Sequence, residues 1–213
     1  MWNCISLLAG SVGLFAGRTQ YLKQYVGMPA NLRSQTFPLI YITDMAAIIS
    51  TLFFVLGLII CINDHFESKY NYRSKFLKKW KIFYRKTLPF ILILNTTVSV
   101  GYWGLYFYNP GLLAPKILNK ALSTPLWKNV IDHTIGLIVT IIEIIVYNFH
   151  LTSYTFILTG GATVLYYTDI LIYNHFYNIW PYGFMTSVSK PMIFLYCFGF
   201  LLTGTLAALF ILV

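Results

Sequence analysis

Six apolar runs divide this chain, each about as long as the 20 residues that a helix needs to cross a bilayer, or longer. They span roughly residues 2–21, 37–62, 87–108, 127–149, 154–175 and 191–213. Hydrophobic residues make up 58% of the sequence and charged residues 10%, whereas a typical soluble domain has about 25% charged residues. So few charges cannot cover a protein surface in water. The sequence therefore predicts an all-α, polytopic membrane bundle of six transmembrane helices, in a single integral membrane domain over residues 1–213.

The positive charge is concentrated between the second and third apolar runs. Eight of the fifteen Lys and Arg residues lie between Lys69 and Lys86, in a predicted basic loop over residues 63–86. The positive-inside rule places such a loop in the cytoplasm, where it can contact anionic lipid head groups. This favours a membrane-surface role over a nucleic-acid partner, although the net charge is +9. We expect both termini in the cytoplasm and the protein in the endoplasmic reticulum or the plasma membrane.

The cysteines and the first apolar run need a separate interpretation. Cys4, Cys61 and Cys197 lie in apolar runs without the spacing of a metal site or a disulfide framework. They are expected to be small hydrophobic residues, and no metal or cofactor site is predicted. No basic residue precedes the first run, as one would in a secretory signal, so a retained span is expected.

Ionisable residues inside the predicted spans are the candidates for function, because a charge at mid-bilayer costs about 2.5–3.5 kcal/mol on insertion scales. The acidic ones are Asp44, Asp132, Glu143 and Asp169; His133 also lies inside a span, and His175 ends one. Thr43 and His133 each lie six residues from the exterior end of their predicted span, a depth of about 9 Å. Asp44, Asp132 and Asp169 fall in the same layer.

Helical periodicity places polar residues on shared faces. In the fourth span, His133, Gly136, Thr140, Glu143 and Tyr147 form one stripe, and the opposite side carries isoleucines and valines, among them Ile138, Val139 and Ile145. In the third span, Asn95, Ser99, Tyr102 and Tyr106 share a face, and Thr43 and Ser50 do so in the second. These patterns predict a bundle with a polar interior pocket.

A hydroxyl beside an imidazole is the minimal pair for acyl transfer or hydrolysis. The imidazole takes the proton as the hydroxyl oxygen attacks a carbonyl, and a carboxylate can orient the imidazole. Thr43, His133 and one of Asp132, Asp44 or Asp169 have this chemistry. Each also has a plain structural interpretation: a membrane Thr commonly bonds the carbonyl four residues earlier, and Glu143 is expected to be a packing or water-cavity group. The G-x-S-x-G, H-E-x-x-H and P-loop motifs are absent from the sequence.

Three stretches resemble the androgen-induced / androgen-dependent TFPI-regulating family of multipass membrane proteins. The segment 37–44 is similar to the aromatic-x-x-Thr segment of that family. Residues 115–119, then Trp127, His133 and Glu143, resemble its Pro-Lys-[Leu/Ile]-Leu segment and Trp-x5-His-x9-Glu pattern. The run from His175 through Trp180 to Phe184 resembles its His-x4-Trp-x-Tyr-x-Phe motif.

This resemblance implies an intramembrane threonine hydrolase that cleaves fatty acid esters of hydroxy fatty acids, drawn as lipid substrates from the bilayer. Carried over by position, the nucleophile is Thr43 and the base is His133. Asp44, Asp132, Asp169, Glu143 and His175 are supporting candidates. The alternative is a non-enzymatic transporter or scaffold subunit in which the buried carboxylates line an ion route. A transporter is expected to show paired, interrupted helices in two related halves, and the sequence has no such pairing.

Overall fold

The computed structural model describes residues 2–26, 41–70, 75–113, 126–147 and 151–212. Within these ranges the helices are α1 (Trp2–Val26), α2 (Ile42–Tyr70), α3 (Lys75–Tyr108), α4 (Leu126–Val130), α5 (Gly136–Val146), α6 (Ser153–Tyr177) and α7 (Lys190–Leu212). A π-helical turn, Ile131–Ile135, joins α4 to α5 in one rod. Short 3₁₀ turns lie at Pro110–Leu112 and Gly183–Ser187. The all-α prediction is therefore confirmed over this part of the chain.

Five of the described helical segments are long and apolar enough to cross a membrane, which fits a multipass membrane protein. They are Ile42–Lys69, Leu77–Tyr108, Leu126–Val146, Ser153–Tyr177 and Lys190–Phe210. They correspond to the second to sixth predicted spans. The first helix, α1, has 25 residues, but its described apolar stretch, Cys4–Ala16, is shorter than a span. A sixth crossing therefore stays a prediction.

Two predicted boundaries differ from the structure. Residues 37–40 lie outside the described residues and α2 begins at Ile42, so Thr43 is in the first turn of α2 and not six residues inside a helix. The segment 63–86, predicted as a basic loop, is helical on both sides of residues 71–74, which lie outside the description. Lys and Arg are good helix formers whose apolar stems can lie along a helix while their charges reach water, so basic charge did not end these helices.

The prediction that the cysteines are unpaired is wrong for two of the three. Cys4 in α1 and Cys61 in α2 form a disulfide across 57 residues of sequence, where no pairing was predicted. The first turns of α1 therefore lie beside the later turns of α2, at the end of the bundle where Lys81 of α3 pairs with Asp64 and Glu67 of α2. Cys197 is free and buried, as predicted.

The helix α3 is the centre of the bundle. It packs against α2, α5, α6 and α7. In its most apolar stretch 67% of the residues are buried, against 28% to 39% in the other four candidate spans. Close approach depends on small residues: a Cβ at Gly136 of α5 would lie 2.6 Å from the Asn95 Oδ1 of α3. Asn95 therefore packs directly on the α5 backbone.

Buried polar side chains connect α2, α3 and α5 through Asn95. Ser50 donates to its Oδ1 at 3.0 Å, and its Nδ2 donates to Thr140 Oγ1 at 3.0 Å. Gly136, Thr140 and Glu143 are buried while Ile138 and Ile145 are exposed, so the predicted stripe on the fourth span is confirmed at these positions. Val139 is the exception: it is 5% exposed and packs against Gly10 of α1 instead of facing lipid.

Candidate functional site

An open cavity lies where the first turn of α2 meets α3, α6, α7 and the turn Gly183–Ser187. The empty space between these elements is about 590 Å³, and part of that volume is the open mouth of the cavity. Most of its wall is apolar or aromatic, including Leu105, Phe184 and Phe200. The polar atoms in the wall belong to hydroxyl, phenol and thiol side chains: Thr43, Thr97, Tyr102, Tyr166, Tyr182 and Cys197. Such a lining suits a long apolar ligand with a polar group at one end.

The position of Thr43 is set by hydrogen bonds at the start of α2. The backbone N–H of the preceding residue, Ile42, lies 3.2 Å from the Tyr166 hydroxyl and 3.1 Å from the Tyr182 hydroxyl. The first N–H groups of a helix lack intrahelical acceptors, and here two phenol oxygens accept from one of them. Thr43 is thereby held at the cavity wall beside both phenols.

His133 lies in the π-helical turn, and α3 holds it from several sides. Its ring stacks on that of Tyr102, with centroids 3.4 Å apart and planes inclined by 8°. The Ser99 hydroxyl donates to the His133 carbonyl oxygen, and the Trp103 Nε1 donates to Thr134 Oγ1 at 3.0 Å. Single π-helical turns inside α-helices are frequent at functional sites because they change the direction of side chains.

Tyr102 relates His133 to the cavity that contains Thr43. Tyr102 lines the cavity together with Thr43, and it is Tyr102 on which His133 stacks. His133 itself is not among the described residues that line the cavity. His133 therefore lies behind one residue of the cavity wall, Tyr102, and Thr43 is another residue of that wall.

Comparison with known proteins agrees with this architecture. The model of the FAR-17a/AIG1-like protein family matches residues 29–213. The chain belongs to this family. It is 27% identical over 154 residues to the androgen-dependent TFPI-regulating protein of Homo sapiens, an alignment that covers 70% of this chain and 63% of that protein. The chain thus matches less than two thirds of the length of that relative. No solved structure matches the chain.

The residues predicted as supporting groups differ from one another in burial and in hydrogen-bond partners. Asp132 forms a buried ion pair with Lys128, Nζ to Oδ2 2.6 Å, and the two side chains are 4% and 3% exposed. Asp44 is buried in the first turn of α2. Asp169 is half-buried in α6 and makes no hydrogen bond or ion pair with another described residue. His175 is exposed in the last turn of α6, beside Phe176.

Glu143 lies about one helical turn after Thr140 in α5 and is not among the described residues that line the cavity. Tyr84 of α3 donates to its Oε2 at 2.6 Å, and the two residues are 1% and 0% exposed. Tyr84 also stacks on Phe53 of α2, with ring centroids 4.2 Å apart. Glu143 is thus a buried packing group, as the sequence suggested, and not part of the cavity wall.

Sequence reasoning missed several residues of the site. Tyr102 was placed on the correct helix face, but its stack on His133 was not foreseen. Lys128, four residues before Asp132, could have been recognised as its ion-pair partner from the i, i+4 spacing. Tyr166 and Tyr182 gave weaker signals, although Tyr182 belongs to the Trp-x-Tyr-x-Phe motif that carried the family resemblance.

Proposed function

We propose that this chain is an intramembrane lipid-ester hydrolase in which Thr43 is the nucleophile and His133 is the general base. The observation that carries the proposal is that the cavity wall contains Thr43 and Tyr102, and that Tyr102 stacks face to face on His133. Membership of the FAR-17a/AIG1-like family supports it. The apolar lining supports a lipid substrate over a soluble one.

In the proposed reaction, His133 takes the hydroxyl proton of Thr43 as the Thr43 oxygen bonds to the ester carbonyl carbon, and the carbonyl π pair moves to its oxygen. When that pair returns, the ester C–O bond breaks and the alcohol leaves with the proton from His133. A water molecule then attacks the acyl-threonine and gives a proton to His133. The acid leaves and the Thr43 oxygen regains its proton.

The orientation of the base comes from Tyr102 in this proposal, and not from a carboxylate. Asp132, which precedes His133, is already neutralised by Lys128 at 2.6 Å. A flat stack on Tyr102 restricts the imidazole to one plane, and the bond from Ser99 to the His133 carbonyl restrains its backbone. These contacts supply the orienting part of the role that a buried carboxylate plays in other triads.

The proposed substrate is a fatty acid ester of a hydroxy fatty acid. The apolar wall of the cavity can contact the acyl chains beside the ester group, and the open mouth lets the rest of the chains extend into the bilayer. We further propose that the basic ends of α2 and α3 lie in the cytoplasm against anionic lipid heads, with both termini on that side, in the endoplasmic reticulum or the plasma membrane.

The test is hydrolysis of a branched fatty-ester substrate by the purified protein in detergent. Thr43→Ala and His133→Ala should each lose activity while the protein stays folded. Thr97→Ala is the matched control: Thr97 also lines the cavity, but its hydroxyl donates to the Ile93 carbonyl at 2.8 Å and should not react. Wild-type turnover in either Thr43→Ala or His133→Ala would show that the mechanism is wrong.

A second test uses a hydroxyl-reactive fluorophosphonate probe followed by mass spectrometry of the labelled peptide. We expect labelling at Thr43 in the wild type and none in Thr43→Ala. Ion or proton flux through proteoliposomes, without hydrolysis or labelling, would favour the transporter alternative. The observation that supports that alternative is the set of buried polar side chains Asn95, Thr140 and Glu143.

A further inference from the structure

Two phenols meet the first turn of α2 beside Thr43. The Tyr166 hydroxyl donates to the Tyr182 oxygen at 3.3 Å, and the Ile42 N–H lies 3.1 Å from the same oxygen. The Tyr182 oxygen therefore accepts two hydrogen bonds. Its own O–H proton donates to no other described residue, although the side chain lines the cavity. A phenol in this state can donate a hydrogen bond to a group that enters the cavity.

Tyr182 is held in place from several directions. The chain leaves α6 through Asn178, whose φ of 53° is in the left-handed region that Asn tolerates, and turns back over the bundle. The Tyr182 ring then meets the edge of Tyr41, with centroids 5.6 Å apart and planes at 85°, and stacks on Phe184 at 5.6 Å. Its hydroxyl is thus fixed before any substrate arrives, as electrostatic stabilisation of a transition state requires.

We propose that Tyr182 is the oxyanion donor of the ester hydrolysis. The assignment rests on the function proposed above. When the Thr43 oxygen bonds to the carbonyl carbon, the π pair localises on the carbonyl oxygen, and the Tyr182 O–H donates a hydrogen bond to that oxyanion without giving up its proton. When the tetrahedral intermediate collapses, the pair returns to form the new carbonyl, and His133 supplies the proton to the leaving alcohol.

The environment keeps this phenol in its donor form. Burial raises the pKa of Tyr182 to about 12, so the group stays protonated throughout the neutral range. Donation from Tyr166 to the Tyr182 oxygen polarises the phenol and strengthens the bond that its own proton makes. Tyr166 is accordingly a positioning residue in this scheme, and Tyr182 is a catalytic one.

The first experiment compares Tyr182→Phe and Tyr166→Phe with the wild type and Thr43→Ala. Loss of one oxyanion donor typically lowers kcat by about 10²–10³-fold. We expect a loss of this size in Tyr182→Phe with little change in KM, and a smaller loss in Tyr166→Phe because the donor remains. Wild-type kcat in Tyr182→Phe, with Thr43→Ala inactive, would overturn the Tyr182 assignment alone. Wild-type kcat in Thr43→Ala would overturn the hydrolase mechanism and this assignment with it.

A second experiment does not depend on removing the hydroxyl. Incorporation of 3-fluorotyrosine at position 182 lowers the pKa of the phenol while its shape is nearly kept. If Tyr182 donates to the oxyanion, the alkaline limb of the pH profile for kcat/KM should move to lower pH. A merely structural role would leave that limb where it is in the wild type, which would overturn the assignment. Size-exclusion chromatography of the labelled protein verifies that it is folded.

Discussion

The imidazole of His133 lies flat on the phenol ring of Tyr102, with ring centroids 3.4 Å apart and an interplanar angle of 8°. The two residues come from different helical segments, so the contact fixes the π-helical turn on α3 as well as the ring. Because Tyr102 also lines the cavity that contains Thr43, this stack places His133 next to the cavity wall.

Replacement of Tyr102 tests whether the stack orients the base. Tyr102→Phe keeps an aromatic face and should retain most of the kcat on a fatty-ester substrate. Tyr102→Ala removes the face and leaves the imidazole free to rotate, so kcat should fall at least about tenfold, which corresponds to about 1.4 kcal/mol of transition-state stabilisation. Steady-state kinetics on both variants make the comparison. Equal activity of Tyr102→Ala and the wild type would contradict an orienting role.

The cavity itself can be filled from Gly101 of α3, which lines it. A Cβ at Gly101 would lie 3.4 Å from Phe200 Cδ1, so a small addition is tolerated and a large one must enter the cavity. Gly101→Leu should therefore lower kcat/KM for long-chain esters much more than for short ones. A Cβ at Gly104, one turn further along α3, would meet no neighbouring side chain within 4 Å, so Gly104→Leu is the matched control. The same loss in both variants would argue against this cavity as the substrate site.

The Glu143–Tyr84 pair predicts a difference between two substitutions at one position. The Glu143 carboxyl is fully buried, and Tyr84 donates a hydrogen bond to it. Glu143→Gln preserves an oxygen that can accept from Tyr84, so stability should change little. Glu143→Ala leaves the buried Tyr84 hydroxyl without that acceptor and should cost about 1–3 kcal/mol. Thermal unfolding in detergent gives the values, and a Gln variant as unstable as the Ala variant would contradict the Tyr84 hydrogen bond as the source of the stability.

How much the sequence could predict depends on the range of the interaction. The helical period places Gly136, Thr140 and Glu143 on one face, and the structure buries all three, because this pattern is local. The disulfide between Cys4 and Cys61 could not be read in the same way, since it depends on how α1 packs along α2. The π-helical turn at His133 has no periodic signature. The return of Tyr182 to the start of α2 depends on the left-handed backbone at Asn178, which only the three-dimensional structure reveals.

The disulfide gives a thiol-counting prediction. Purified protein that has been oxidised in air and then denatured without reductant should react with a maleimide reagent at one cysteine, Cys197, and after reduction at three. A maleimide reagent of high mass shifts the protein on a gel once for each reacted thiol, so the shift gives the number of free cysteines. Three reactive thiols before reduction would contradict the pairing of Cys4 with Cys61.

The same disulfide tests the predicted orientation. Cys61 precedes Lys69 by about two helical turns, so the bond lies toward the end of α2 that carries the basic residues. The positive-inside rule assigns this end to the cytoplasm, where disulfides seldom persist. If the orientation is correct, thiols trapped by alkylation in intact cells should be mostly reduced, and the bond should form after lysis. A bond already complete in cells would place this end of the bundle in an oxidising compartment and reverse the predicted topology.

The buried pair of Lys128 and Asp132 allows the last prediction, which separates a structural acid from a catalytic one. Their side chains are 3% and 4% exposed, so removing one partner deprives the other buried charge of this ion pair, and breaking a buried pair typically costs about 3–5 kcal/mol. Asp132→Asn and Lys128→Met should each be strongly destabilised, and the double variant should recover much of the stability. If Asp132 acts only by holding the π-helical turn, the double variant should also recover hydrolysis of the fatty ester. Recovered stability without recovered activity would instead place Asp132 in the catalytic machinery beside His133.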